Sequence, residues 1–271
     1  MNQTHIRLIG DELNLEASRI ASVADLLNDG ATVPFIARYR KEATGSLDEV
    51  IVATIRDRLT QLQELDDRRD AILASLEQHG HLTDALKDQV LAAETMTALE
   101  DLYLPYRPKR RTRATIAREK GLEPLAQTLL AQEDNDPMAL AADYIDTEKG
   151  VETPEDALAG ARDIIAETIN EDQQARSRIR ELFAATAVIN SRVIAGKEVE
   201  GAKYKDYFEW TESVSAAPSH RILAMRRGEK EEILSLSIAP DAEPALAILE
   251  DLYVNGSGPA SEQVRLAAHD A

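Results

Sequence analysis

Five basic side chains crowd seven consecutive positions near the middle of the chain, and cationic groups at that density can bind phosphate. They are Arg107, Lys109, Arg110, Arg111 and Arg113. The stretch 107–120, here called the basic segment, holds seven Lys or Arg residues and one acid, for a net charge of +6. Side chains that neutralise phosphates release counterions, which is a general source of nucleic-acid affinity. The spacing therefore predicts an electrostatic binding site.

The rest of the chain is strongly acidic. Because the whole chain of 271 residues carries a net charge of −18, the residues outside the basic segment carry −24. Such a balance disfavours nonspecific nucleic-acid binding over the whole surface, so any binding must be local. The arginines could instead pair with acidic helices and tie parts of the protein together, or stay solvated. The residues alone leave these three interpretations open.

Prolines and tyrosines introduce the basic run. Pro105 and Pro108 disfavour an α-helix and favour an extended path along a phosphate backbone. Tyr103 and Tyr106 supply rings that could stack on bases. The predicted nucleic-acid contacts are Arg107, Lys109, Arg110, Arg111, Arg113, Tyr106 and Arg118.

A smaller basic cluster lies upstream, in the stretch TVPFIARYRKEATG. Its cations are Arg38, Arg40 and Lys41, on a predicted short helix that also carries Phe35, Ile36 and Tyr39. An amphipathic helix that packs its apolar side is the favoured interpretation. A supporting phosphate contact is the alternative.

Enzymatic templates find no match, so the sequence predicts a protein that is not an enzyme. It contains no Gly-rich phosphate loop, dinucleotide fingerprint or His-Glu-x-x-His helix, and hence no cofactor is expected. No cysteine is present, and the pair His79 and His81 is typical of a polar helix end. No metal site is predicted.

Composition favours a mainly α-helical protein. Hydrophobic residues make up 44% and charged residues 30%, while aromatic residues make up 4%, so the core should be aliphatic. No apolar run approaches the ~20 residues needed to cross a bilayer, and the first residues do not resemble a signal peptide. We therefore expect a cytoplasmic protein that does not act at a membrane.

Capping patterns predict long helices. Ser46 is the expected N-cap of a helix of roughly 30 residues that closes near Gly80. Thr83 is expected to cap a shorter helix, and Thr153 to open a capping box. Helical periodicity then runs to about Val193, with a break expected near NEDQQ, where the helix could restart at a cap on residue 170.

Two further elements follow from spacing. Ala117 and Gly121 lie four apart among apolar residues, as in a helix-turn-helix, but the would-be reading helix has no Arg or Lys. Little sequence specificity is expected from it. After Ser219, two short apolar runs around Gly228 predict a β-hairpin. The resulting division is a helical region 1–104, a helix-turn-helix-like and long-helix region 105–215, and a hairpin with helices over 216–271.

Three stretches also resemble a known family. TVPFIARYRKEATGSLDE, LEDLYLPYRPKRRTRATIAREKGLEPLA and EGAKYKDYFEW are similar to the N-terminal region of the bacterial Tex transcription accessory proteins. The resemblance spans about residues 20–254. It implies a mostly helical scaffold with a helix-turn-helix element, acting in transcription with nucleic acid and RNA polymerase as partners. Full-length members continue into an RNase H-like domain, helix-hairpin-helix modules and an OB-type RNA-binding domain.

The resemblance leaves two functions for this chain. The first is a nonspecific RNA- or DNA-binding scaffold. The second is a protein-interaction scaffold that docks RNA polymerase or tethers downstream domains without binding nucleic acid itself. No catalytic residue is implied by the resemblance.

Overall fold

The computed structural model describes residues 2–107 and 111–271. The chain divides into two compact units, Met1–Tyr106 and Arg107–Ala271. Within the described residues, none of the helices is both long enough and apolar enough to cross a membrane. The mainly α-helical fold class predicted from composition is confirmed. The three-region division stays a prediction.

The first unit is all helical. Its helices are α1 (Gln3–Leu13), α2 (Ala17–Asn28), α3 (Val33–Tyr39), α4 (Lys41–Thr44), α5 (Glu49–Gln78), α6 (Asp84–Ala92) and α7 (Met96–Tyr103). Helix α5 is 30 residues long, which confirms the predicted long helix. At about 1.5 Å per residue it is long enough to serve two separate cores.

The two cores of the first unit lie along successive parts of α5. The earlier part packs against α1, α2 and α3 through side chains such as Ile9, Ile20 and Ile36. The later part packs against α6 and α7, where Ile72 and Leu99 are fully buried. Each core is mainly aliphatic, as the composition predicted.

The second unit is built around one central helix. Its helices are α8 (Arg113–Glu119), α9 (Glu123–Ala131), α10 (Pro137–Ala142), α11 (Pro154–Glu171), α12 (Gln173–Thr186), α13 (Ser219–Lys230), α14 (Ala242–Tyr253) and α15 (Pro259–Asp270). Helices α8, α9, α10 and α15 all pack on α11. The predicted capping box at Thr153 opens α11, and Thr83 caps α6 as expected.

A small sheet completes the second unit. Its strands are β1 (Val188–Val193), β2 (Glu209–Ser213) and β3 (Leu234–Ala239), in the antiparallel order β2-β1-β3. The helix predicted to run to about Val193 is therefore too long, because α12 ends at Thr186 and a strand follows. Along β1, Ile189 and Ser191 are buried and alternate with outward-facing Asn190 and Arg192, which is the period of a strand.

The predicted β-hairpin is wrong in its first half and right in its second. Strand β3 forms as expected, but residues 219–230 form helix α13, so β3 pairs with β1 instead. Gly228, which suggested a turn, lies inside the helix. A Cβ there would lie 2.6 Å from Leu234 Cδ1, so the glycine permits close packing of α13 on β3.

Two predicted caps are displaced by two residues. Asp48 caps α5 by accepting a hydrogen bond from Ile51 N at 2.8 Å, whereas Ser46 has a left-handed φ of 61° and cannot cap the helix. The expected break near NEDQQ occurs at Asp172, which ends α11 and caps α12; the expected cap was Asn170. At both helix starts an Asp side chain accepts a hydrogen bond from the backbone N–H three residues later, as is common for Asp at the N-cap.

Candidate nucleic-acid interface

The tyrosines before the basic segment belong to the first unit. Residues 104–106 form a single 3-10 turn, so the extended path predicted from Pro105 is wrong there. Tyr103 is buried with its hydroxyl 2.8 Å from Ser75 Oγ, so its ring cannot stack on a base. Tyr106 is half-buried, with its ring 5.5 Å from that of His81. Tyr106 therefore stays partly accessible.

The first residue of the basic segment, Arg107, is exposed. Arg107 lies on the surface, and its guanidinium forms no ion pair with a carboxylate of the described residues. The predicted contacts Lys109 and Arg110, with Pro108, lie outside the described residues.

Arg111 and Arg113 flank the start of α8. Thr112 between them caps the helix by accepting a hydrogen bond from Thr115 N. Arg111 donates to Glu119 at 2.7 Å, and Arg113 donates to Asp270 on α15 at 2.5 Å. Both arginine side chains remain more than two-thirds exposed, at 68% and 69%. Exposed pairs of this kind contribute about 0–1 kcal/mol, so a phosphate can replace either carboxylate.

Arg118 lies in a different environment. Its guanidinium donates to Glu167 on α11 at 2.5 Å, and only 33% of the arginine side chain and 11% of the glutamate side chain are exposed. Thr112 Oγ1 donates to the same carboxylate at 2.8 Å. Burial lowers the pKa of Arg118, but the hydrogen bonds and negative charges of Glu167 and Glu123 together outweigh the burial and hold the pKa above its usual value. Arg118 thus fastens α8 to α11.

The helix pair that follows is held by tight packing. Gly121, with φ of 84°, turns the chain between α8 and α9, and Ala117 and Leu122 beside it are buried. A Cβ on Gly160 of α11 would lie 2.4 Å from Leu122 Cδ1, so the glycine lets this turn approach α11 closely. Helices α8 and α9 are thus two consecutive helices joined by a turn, while the helix-turn-helix assignment and its role in binding stay predictions.

Helix α9 presents no cation to solvent. Its outward residues include Glu123 and Gln127, and the sequence of α9 contains no Arg or Lys. Gln132, which ends it, donates to Tyr253 O at 2.7 Å and accepts from Asn255 N at 2.9 Å. The side chain of Gln132 is therefore committed to internal packing.

Pairing of the basic segment with acidic helices was one of the three interpretations of the sequence, but the particular carboxylates were not named. Arg113 also lies 3.4 Å from Asp163, so Asp163, Glu167 and Asp270 line one side of a shallow cleft beside it. A sequence signal existed for two of them, since Asp163 and Glu167 are four residues apart and share a face of α11. Asp270 carried none, because its approach depends on how α15 packs.

The smaller basic cluster lies in the first unit. Arg38 lies in the last turn of α3, Arg40 joins α3 to α4, and Lys41 begins α4. Ile36 is buried as expected of an amphipathic helix, but Phe35 and Tyr39 are exposed.

In residues 2–107 and 111–271, no group of three or more His, Asp or Glu side chains could hold a metal ion.

Comparison with known proteins identifies the family. Residues 3–77 match the Tex-like protein N-terminal domain, and residues 132–265 match the Tex central region. The chain belongs to the Tex family. Protein tex of Bordetella pertussis is 49% identical over 242 residues, which cover 88% of this chain and 31% of that relative.

Other Tex relatives agree. The Transcriptional accessory protein Tex of Neisseria gonorrhoeae is 46% identical over 240 residues, covering 88% of this chain and 31% of the relative. The human S1 RNA-binding domain-containing protein 1 is 27% identical over 247 residues, covering 88% of this chain and 24% of the relative. The chain thus spans about a third of the length of the bacterial Tex proteins it matches.

Proposed function

We propose that this chain is a scaffold of a Tex-type transcription accessory protein that binds RNA or DNA without sequence preference. The basic segment makes the contacts, through phosphates. The observation that carries the proposal is the exposure of Arg107, Arg111 and Arg113 around the start of α8, against an acidic remainder. Relatives named for transcription accessory function and for an S1 RNA-binding domain support the same kind of ligand.

The expected lack of specificity follows from what each element offers. Phosphate contacts position a protein on nucleic acid, whereas base-edge contacts supply specificity. Helix α9 offers acidic and amide side chains and no arginine for guanine edges. The proposed role is binding rather than catalysis, in the cytoplasm, and nuclease assays with and without divalent metal test that expectation.

A second function is favoured by a specific observation. Every described arginine of the basic segment after Arg107 has a carboxylate partner within the protein. This arrangement suits a protein-interaction scaffold whose basic segment ties α8 to α11 and α15, while other surfaces dock RNA polymerase or downstream domains.

One variant separates the two functions. Replacing Arg107, Lys109, Arg110, Arg111 and Arg113 with Ala should weaken oligonucleotide binding at least tenfold at low salt and leave the melting temperature nearly unchanged. An unchanged affinity with a large fall in melting temperature, or a failure to capture RNA polymerase, would favour the interaction scaffold instead. Equal retention of binding and stability would contradict the first proposal.

A further inference from the structure

Two aromatic rings lie exposed side by side on α3. Phe35 is 41% and Tyr39 is 67% exposed, and their ring centroids are 5.5 Å apart. They are four residues apart and so share one face of the helix, whereas Val33 and Ile36 are buried. Only 4% of the residues of the chain are aromatic. Leaving two of these rings exposed forgoes the stabilisation that their burial would contribute.

Three cations lie within six residues of Phe35 along the chain. The guanidinium of Arg40 lies 5.5 Å from the centroid of the Phe35 ring, within the range of a cation–π contact. The Arg38 side chain is exposed and reaches Glu49 only at 4.0 Å, and Lys41 is also exposed. Residues 33–45 hold three cations and one acid, so this patch is locally positive in an acidic protein.

Hydrogen bonds from Thr44 and from α2 fix the backbone next to this patch. The hydroxyl of Thr44, which is fully buried, donates to Arg40 O at 3.0 Å and fixes the bend between α3 and α4. From α2, Arg19 donates to Thr44 O at 3.0 Å and to Gly45 O at 2.7 Å. Gly45 has φ of 66°, and a Cβ there would lie 2.7 Å from Arg19 Nε, so the glycine permits this contact.

We propose that Phe35 and Tyr39 form a stacking platform for the bases of single-stranded nucleic acid, with Arg38, Arg40 and Lys41 on the adjoining phosphates. Rings that accept base faces beside cations that follow the backbone are the two elements of single-strand binding. In a duplex the base faces are stacked on one another, so a duplex would bind this patch only through its phosphates and the three cations. The proposal rests on the proposed function, but it uses residues of the other unit.

Charge argues for nucleic acid over an apolar protein partner. A protein that buried both rings would also have to desolvate the three cations or supply carboxylates to match them. An oligonucleotide supplies phosphates and ring faces together. A protein partner is therefore treated as an outcome of the test.

The test uses the intact chain and an unstructured oligouridylate about 12 nucleotides long, a length within the range that single-strand-binding OB-folds cover. Phe35→Ala with Tyr39→Ala should lower its affinity about tenfold and change that of a duplex of equal length less than twofold. Phe183→Ala removes a similarly exposed ring from α12 and serves as the matched control, with no loss expected. Melting temperature checks folding, and Tyr39→Ala alone is used if the double variant unfolds.

Two further variants separate stacking from simple apolar contact. Tyr39→Trp should retain binding, and its fluorescence should be quenched by the oligouridylate, whereas Tyr39→Leu should bind as weakly as Tyr39→Ala. The parent chain, whose single tryptophan is Trp210, sets the background signal. Equal binding by the Leu and Trp variants would overturn the stacking platform and favour a protein partner.

The five-Ala variant of the basic segment, measured in parallel, distinguishes failure of this inference from failure of the proposed function. If the aromatic variants bind like the parent while the five-Ala variant does not, the platform is wrong and the proposed function stands. If none of these variants loses affinity, both are wrong.

Discussion

At the scale of single residues, Arg113 and Arg118 show how burial divides the roles of neighbouring cations. Arg113 pairs with Asp270 in solvent, where an ion pair is weak and exchangeable. Arg118 pairs with a glutamate that is nearly buried, where loss of one partner leaves a desolvated charge. Arg113 can therefore contact phosphate, whereas Arg118 holds α8, the helix that Arg113 begins, against α11.

Removing the carboxylate that pairs with Arg113 should raise the affinity of the chain for oligonucleotides. Asp270→Asn removes the competitor that phosphate must displace and should strengthen oligonucleotide binding several-fold. Asp251→Asn is the matched control: it removes the same charge from a carboxylate that pairs with Arg178, outside the basic segment. Equal gains in the two variants, measured by fluorescence anisotropy at one salt concentration, would mean that only net charge matters.

For the stability of the fold we expect the opposite ranking: Arg118 should contribute more than the exposed arginine Arg111. Arg118→Ala should reduce the free energy of unfolding by about 1–3 kcal/mol, because Glu167 would lose a charged partner while remaining buried. Arg111→Ala should change it by less than about 0.5 kcal/mol, as is usual for an exposed surface residue. Urea unfolding followed by circular dichroism measures both, and similar losses would contradict the assigned roles.

Sequence could identify the cations of the candidate site and could not identify their partners. Local density alone marks Arg107, Arg111 and Arg113, all of which prove exposed. The pairing of Arg113 with Asp270 joins residues 157 positions apart, which no local pattern encodes. Stacking by Tyr103 is a wrong prediction for the same reason, since the burial of its ring depends on packing against α5.

At the scale of elements, patterns local in sequence predicted helices better than strands. The long helix α5 and the capping box at Thr153 could be anticipated because both depend on residues close in sequence. Strand β1 could not, because its residues acquire the strand period only by pairing with β2 and β3. Gly228 misled for a similar reason: its role is a close approach to Leu234, which is a tertiary contact.

The start of α5 offers a test at this scale. Asp48→Ala should cost about 1 kcal/mol of stability, because Ile51 N loses its capping acceptor. Ser46→Gly should instead stabilise by up to about 1 kcal/mol, because glycine adopts the left-handed φ at position 46 without strain. Urea midpoints of the two variants decide the matter. A loss at position 46 with none at 48 would restore Ser46 as the cap.

At the scale of the whole molecule, a net charge of −18 contrasts with the local charge of +6 on the basic segment. Under the proposed function, the acidic remainder disfavours nucleic-acid binding over the other surfaces, and the exposed arginines near α8 supply the local attraction. The chain spans about a third of its bacterial Tex relatives. The proposed phosphate contacts nevertheless belong to this chain itself, so binding should be measurable without any further domain.

The salt dependence of binding is the most direct test of that claim. For a single-stranded oligonucleotide, the logarithm of the association constant should fall linearly with the logarithm of salt concentration, by about 0.7 for each phosphate bound. The five-Ala variant should show a slope shallower by about 0.7 for each phosphate that it no longer binds. Identical slopes for the parent chain and the variant would contradict a phosphate-binding role for the basic segment.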